Sequence, residues 1–294
     1  MNDQTTDWPD YQLLDFGGGR KLERFGSVAV DRPCPAAENE QPATRKWQAD
    51  ARFTGARVGD GKWKPPTTKV LSAGATVGVP LGGDRSFRFH LEFSPAGQVG
   101  LFPEQFANWR WIARQAARAG RPLRVLNLFA YTGGSTLAAA AASADVEVTH
   151  VDASKPSVAL ARQNSAASGL AEAKVRWIVE DALKYCRREV KRGSRYDAVV
   201  LDPPSYGHGP KGEEWRLARD LPVLMELIGE LTARQPVFLL ATCHTPGVGP
   251  AELSAYLSDG VFGSCSAPPT GSRLWLHASD GRKLESGVSV RWPR

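Results

Sequence analysis

From Glu104 onward the sequence alternates between helical and strand-like segments, and this alternation limits the chain more than any other feature. A parallel strand cannot turn straight back on itself. It needs a crossover connection, which a helix supplies on one face of the sheet, so repeated strand–helix units point to a parallel sheet covered on both faces. The pattern predicts helix at Glu104–Ala119, with Pro103 at its start and Gly120 past its end. Strands follow at Arg124–Phe129, Val146–Val151, Val175–Val179, Ala198–Leu201 and Val237–Ala241. Between them lie helices at Ser135–Ser143, from the Ser154 cap to before Gly169, at Ala182–Lys191, at Leu221 to about Ala233 with Asp220 as N-cap, and at Ala251–Leu257. Arg273–His277 and Val288–Trp292 suit a closing antiparallel hairpin.

Residues 1–97 read differently. Short apolar or alternating runs, broken by Gly and Pro, occur at Tyr11–Phe16, Phe25–Val30, Lys69–Leu71, Val77–Leu81 and Ser86–Phe93. Phe87, Phe89, Leu91 and Phe93 recur at period two, the mark of a strand with one buried face. The expected organisation is a small β-rich domain over residues 1–97 and a doubly wound α/β domain over 98–294. Lys211–Arg219 reads as a mobile polar segment able to close over a substrate.

In open α/β sheets ligands bind beyond the carboxyl ends of the strands, where strand order reverses. Four such ends carry chemistry here. Asn127-Leu128-Phe129-Ala130-Tyr131-Thr132-Gly133 leads into a helix start, where backbone N–H groups are free. The second strand ends at Asp152, followed by Ala153 and Ser154; a carboxylate there can accept both hydroxyls of a ribose. Asp181 and Ala182 follow the third strand, placed for an adenine amino group, and the fourth ends in Asp202-Pro203-Pro204. The glycine loop alone is a weak signal. Four informative ends in the correct order point to an adenosine-containing cofactor. A nicotinamide oxidoreductase is disfavoured, because the loop lacks GxGxxG and the Asp-Pro-Pro end has no role in hydride transfer.

These motifs resemble those of class I S-adenosylmethionine-dependent methyltransferases. The order Gly100-Leu101-Phe102-Pro103-Glu104-Gln105…Asn108, then Leu128–Gly134, then Asp202-Pro203-Pro204, is similar to the large-subunit ribosomal RNA methyltransferases, both cytosine-C5 and guanine-N7 enzymes. The resemblance spans roughly residues 98–245 and implies S-adenosyl-L-methionine as cofactor, a Rossmann-like seven-stranded sheet with a reversed last strand, and a ribosomal RNA substrate. It also implies that Gln105 and Asn108 reach the cofactor's methionine end. Before residue 98 there is no motif of the RNA-binding module that longer members carry. Ser205-Tyr206 and Thr242-Cys243-His244 depart from the family's usual residues at those positions.

On the cytosine reading Cys243 is the nucleophile, with Asp202 holding the base edge; a buried, inert thiol is the alternative at that strand end. On the guanine reading Asp202, Pro203-Pro204 and an aromatic wall from Tyr206 suffice. A non-RNA acceptor and a non-catalytic RNA-binding protein are further alternatives. His208 and His244 are candidate proton carriers, while Arg187, Arg188, Lys191, Arg192 and Arg195 could follow phosphates or form a solvated helix face. Trp109 and Trp111, within an amphipathic helix, read as core or interface rather than a base-stacking platform.

The net charge of +6 suits a polyanionic partner but decides little alone. No run of about 18 apolar residues marks a membrane span. Cys34, Cys186, Cys243 and Cys265 show neither zinc spacing nor a disulfide framework. A cytoplasmic protein without metal is expected, its oligomeric state open and a homodimer included.

Overall fold

A computed structural model describes residues 5–55, 61–65, 75–263 and 268–293. The expected strand at Lys69–Leu71 and the thiol of Cys265 lie outside the described residues. The chain divides into two compact units. One is Met1–Arg110 with Trp275–Ser286, and the other is Trp111–Leu274 with Gly287–Arg294.

The first unit is β-rich. Strands β1 (Tyr11–Gly17), β2 (Arg20–Phe25), β3 (Val28–Pro33), β4 (Ala51–Phe53) and β5 (Trp63–Lys64) form a sheet in sequence order. The hairpin of β6 (Thr76–Gly82) and β7 (Arg85–His90) forms a second. Gly18 and Gly19, with φ of 56° and 75°, make the two-residue turn between β1 and β2, for which only left-handed backbone matches the strand twist. The expected run Phe25–Val30 is two strands, because Gly26 (φ 57°) reverses the chain within it. Phe87 and Phe89 are buried as their period predicts, and both pack on Trp109, centroids 5.6 and 5.3 Å away.

Strand β2 escaped the sequence reading because the side chains it buries are charged. Glu23 is wholly buried and accepts from Arg32 Nε at 2.7 Å, Lys21 Nζ at 3.1 Å and the Tyr11 hydroxyl at 2.9 Å. Asp15 plays a similar part at the end of β1. It accepts from Trp47 Nε1 (2.7 Å), the Ala43 and Thr44 backbone N–H groups (3.0 Å each) and Arg282.

The second unit carries the alternating region. Its elements are the greater part of α1 (Phe106–Arg118), then β8 (Leu123–Leu128), α2 (Gly134–Ala140), β9 (Val146–Asp152), α3 (Lys155–Ala167), β10 (Val175–Val179), α4 (Ala182–Lys191) and β11 (Ala198–Leu201). There follow β12 (Tyr206–His208), β13 (Glu214–Arg216), α5 (Leu217–Leu231), β14 (Phe238–Cys243), α6 (Pro250–Tyr256), β15 (Thr270–His277) and β16 (Lys283–Trp292). Seven strands form one sheet in the order β10-β9-β8-β11-β14-β16-β15, with β16 antiparallel to β14. This is the doubly wound, seven-stranded arrangement expected. Strand order reverses between β8 and β11. Across five parallel strands Ile178, Val151, Leu128, Leu201 and Ala241 lie in one register row.

Local signals hold at most helix ends. Ser154 Oγ accepts from Ser157 N at 3.3 Å, and Gly169 and Gly193, both at φ 69°, follow α3 and α4. One cap differs: α5 begins at Leu217, and Asp220 lies in its first turn with Oδ2 accepting from Arg216 N at 2.8 Å. Trp111 is core, as read, packed edge-on to Phe238 at 5.7 Å. The segment Lys211–Arg219 comprises part of the turn and the second strand of the β12–β13 hairpin, followed by the first turn of α5.

Asp15 gives the first unit a pH-sensitive pin. Burial alone would raise its pKa, but bonds from Ala43 N, Arg282, Trp47 and Thr44 N outweigh it and hold the group at about 2 against an ordinary 3.8. A depressed carboxyl stabilises the fold above its unfolded pKa and loses that contribution as pH falls through the folded value. Stability from Asp15 is therefore full above pH 3.8 and lost on the way to pH 2. Asp15→Ala should lower the unfolding free energy at pH 7 by about 2–4 kcal/mol, since it strands four donors at once. It should also flatten the acid limb of the curve; urea titrations from pH 7 to 2 measure both.

Candidate active site

The loop after β8 holds strained backbone. Phe129 (φ 53°) and Tyr131 (φ 47°) are left-handed without being glycine, and Gly133 follows at φ 95°. Each such non-glycine residue costs about 1–3 kcal/mol and persists only where its surroundings enforce it. The enforcing bonds are visible. Tyr131 N donates to Asp152 Oδ2 at 2.7 Å, Ala130 N to Val151 O at 3.1 Å, and Asn164 Nδ2 to Thr132 O at 2.9 Å. Beneath them Asn127 Nδ2 donates to Thr136 Oγ1 at 2.8 Å, and that oxygen lies 2.9 Å from His150 Nδ1. Burial, with Arg162 nearby, lowers the His150 pKa to about 3, so this ring is a neutral structural strut. A Cβ on Gly133 would sit 3.1 Å from that of Ala161, so this position is closed to a side chain on two counts.

The acidic strand ends are built differently from one another. Asp152 receives Tyr131 N on Oδ2 and Ser154 N (2.8 Å) on Oδ1, so the backbone around Ala153 wraps the carboxylate. Burial raises its pKa against those two bonds. Each oxygen keeps a second lone pair, and no ion pair ties the group among the described residues. Asp181 caps α4 through Oδ1, which accepts from Lys184 N at 2.8 Å, and Ala182 behind it is buried. Its neighbour Glu180 is committed to Arg188 at 2.6 Å.

Asp202 leaves β11 half-buried, with His244 Nε2 3.6 Å from Oδ1. Pro203 is buried and Pro204 exposed, but the Pro204 carbonyl accepts from Trp215 Nε1 at 2.7 Å. That carbonyl therefore holds the β12–β13 hairpin down. Trp215 also packs on Phe129, centroids 4.8 Å apart, and so ties the hairpin to the strained loop. Trp215 and His150 were missed in the sequence, Trp215 because its neighbours Glu213, Glu214 and Arg216 make the segment look like solvated loop.

Cys243 ends β14, and Asp202 follows Leu201, the β11 residue that pairs with Ala241. Leu239, Ala241 and Cys243 of β14 face the apolar layer under α5 and α6, and Cys243 is 1% exposed there. The Gln105 and Asn108 side chains belong to the first unit, where both are buried and Asn108 Nδ2 donates to Gln105 Oε1 at 2.7 Å. In the basic run Arg188 and Arg192 are paired, with Glu180 and Glu189, while Arg187, Lys191 and Arg195 are exposed. His208 is exposed and bonded to the Tyr206 hydroxyl at 3.0 Å. Among the described residues no group of three His, Cys, Asp or Glu side chains is arranged to hold a metal, and no helix is long and apolar enough to cross a membrane.

Residues 62–258 of the 294 match the family described as S-adenosylmethionine-dependent methyltransferase. The chain belongs to that family. This methyltransferase is 34% identical over 243 residues to the Ribosomal RNA large subunit methyltransferase I of Aeromonas salmonicida, an overlap of 82% of this chain and 56% of that protein. The protein of the same name from Photobacterium profundum is 29% identical over 197 residues, 66% of this chain and 45% of the relative. The methyltransferase thus spans about half the length of the curated relatives it matches. The crystal structure of the SAM-dependent methyltransferase from Agrobacterium tumefaciens superposes with a TM-score of 0.85 at 34% identity, covering 98% of this chain and 92% of that one. A Streptococcus mutans chain at 16% identity and TM-score 0.69 shares the fold alone. The cofactor of this methyltransferase is S-adenosylmethionine.

The loop geometry yields a direct test. Gly133→Ala combines a left-handed backbone with a Cβ contact at 3.1 Å to Ala161. It should destabilise the fold by about 1–3 kcal/mol, a drop in melting temperature readable by calorimetry.

Proposed function

We propose that this methyltransferase modifies a base of large-subunit ribosomal RNA in the cytoplasm, with C5 of cytosine as the acceptor atom. The catalytic domain in this reading is residues 98–294, preceded by the β-rich domain of residues 1–97. The observation that carries the reading is the register row whose ends release Asp152, the Phe129–Gly133 loop and Asp202 side by side at the point where strand order reverses. Similarity to proteins named as ribosomal RNA large subunit methyltransferases supports RNA as the substrate class, and the +6 charge agrees with it.

The donor set fits the cofactor. Asp152 keeps one lone pair on each oxygen for a pair of ribose hydroxyls, with Ala153 and Ser154 N fixing its direction. Asp181 spends Oδ1 on the α4 cap and keeps Oδ2 for an exocyclic amino group, next to Ala182 N. The loop from Asn127 through Phe129, Ala130, Tyr131, Thr132 and Gly133 would offer backbone N–H groups to the cofactor at the start of α2. When bound, S-adenosylmethionine supplies an electrophilic methyl group on sulfur.

At the acceptor, Asp202 would accept from the N4/N3 edge of the base, and Pro203-Pro204 would form a wall whose backbone is already fixed. C5 of cytosine is a weak nucleophile. A Cys243 thiolate adding to C6 would make C5 carbanion-like; after transfer a base takes the C5 proton and the thiolate leaves. His244, 3.6 Å from Asp202, is at hand for that proton. One observation favours a second reading: Cys243 is 1% exposed in an apolar layer, whereas a nucleophilic thiol must be reachable. A ring nitrogen such as guanine N7 needs no thiolate, and positioning by Asp202 and the prolines would suffice.

Two substitutions test this reading. Asp152→Ala removes the acceptor of two hydroxyl bonds and should weaken S-adenosylhomocysteine binding about a hundredfold in calorimetry; unchanged affinity would reject the ribose assignment. Cys243→Ala should lower methyl transfer to ribosomal RNA by at least about a thousandfold on the cytosine reading, with cofactor affinity retained. Persistent methylation selects the ring-nitrogen reading, and mass spectrometry of the digested RNA names the nucleoside.

A further inference from the structure

A second cleft, of about 780 Å³, opens in the same unit beyond the acceptor wall. Its walls are Ser205, Tyr206 and Arg216 on the side of the β12–β13 hairpin, and Thr245, Val248 and Tyr256 on the side of the β14–α6 loop and α6. Asp202, Pro203, Pro204, Cys243 and His244 do not line it. A hydrogen bond of 2.7 Å between Ser205 Oγ and Thr245 Oγ1 joins the two loops just past those residues, so the cleft begins where the acceptor wall ends.

Tyr206 is the distinctive group in this cleft. It is 52% exposed, among the few large hydrophobic side chains so exposed in the described residues. Its position is fixed rather than free. The hydroxyl bonds His208 Nε2 at 3.0 Å and donates to Glu214 Oε1 at 3.3 Å, and the His208 ring meets the tyrosine ring edge-on at 5.1 Å. Glu214 also takes both Arg216 Nε and Nη2 at 3.0 Å, so the guanidinium and the aromatic ring share one anchor. Holding a ring at the surface by its polar tip forgoes the burial that would normally stabilise an aromatic residue. Such a ring suits stacking with a planar ligand, and a neighbouring arginine suits a phosphate.

We propose that this cleft receives a nucleotide flanking the methylated one, its base stacked on Tyr206 and its phosphate toward Arg216. Tyr206 is then a specificity and positioning residue for the RNA strand, acting one step away from the reacting base. The proposal rests on the RNA reading above. It places the strand across the Ser205–Thr245 bridge, with the target base on the Asp202 side and its neighbour on the Tyr206 side.

The test uses the full chain and a short RNA spanning the methylated nucleotide once that nucleotide is mapped. Steady-state methyl transfer is measured on the intact RNA and on versions with an abasic residue on either side of the target. Tyr206→Ala should raise KM for the intact RNA about tenfold or more, the loss falling on KM rather than kcat, as expected for one stacked base. Tyr206→Phe should retain most of the stacking, and S-adenosylhomocysteine affinity should match wild type for both variants. With an abasic residue at one flanking position, wild-type KM should rise to the Tyr206→Ala value and the variant should lose nothing further. If Tyr206→Ala matches wild type on intact RNA, or its loss is undiminished at every abasic position, the flanking-nucleotide cleft is overturned while the RNA reading stands. If the wild-type protein binds S-adenosylhomocysteine but methylates no RNA, the RNA reading itself falls and takes this proposal with it.

Discussion

Parallel pairing of β8 with β9 on one side and β11 on the other aligns Val151, Leu128 and Leu201 across the sheet. Because neighbouring parallel strands lie about 4.8 Å apart, the residues that follow leave the sheet as a row spanning roughly 10 Å. Asp152, Phe129 and Asp202 are those residues. The pairing brings together residues far apart in the chain, Tyr131 and Asp152 being separated by 21 positions. The central strands β11 and β14 are buried on both faces, so a slip of one residue would exchange every side chain between two differently shaped helix layers and spoil the packing of each. The site thus inherits its geometry from hydrophobic burial, and its polar groups act only locally, to shape backbone around positions already chosen.

The strained loop shows how that local shaping works. Left-handed Phe129 and Tyr131 would relax if Asp152 released the Tyr131 amide, and Asp152 is itself held by Ser154 N, just before α3. A second support comes from the opposite direction, where Trp215 clasps Phe129 and the Pro204 carbonyl. Two strand ends therefore brace the loop between them. Rigidity of this kind lowers the entropic cost of binding, because the groups that meet a ligand are ordered before it arrives.

Most of the second unit was legible because its signals are periodic or chemical: apolar strands of four to seven residues, Ser154 as a cap, and glycine at helix ends. The cofactor class followed from the same strand ends. What stayed hidden shares one cause. Strand β2 buries Lys21 and Glu23, and the β12–β13 hairpin anchors Trp215 among Glu213, Glu214 and Arg216. In both, the inward residues look polar or the segment looks solvated, so pattern alone reads loop, and only partners distant in sequence make burial tolerable. The side to which Cys243 points was equally unreadable, since alternation is known only once the strand's buried face is known.

The first unit is discontinuous: residues 275–286 belong to it, although they lie in the last tenth of the chain. Arg282, the charged partner of Asp15, stands 267 positions away from it. During synthesis the amino-terminal strands must wait until residue 282 has emerged before Asp15 acquires its cation. The protein is therefore laced shut from its carboxyl end, and a chain terminated prematurely before residue 282 would leave its oldest part unfinished.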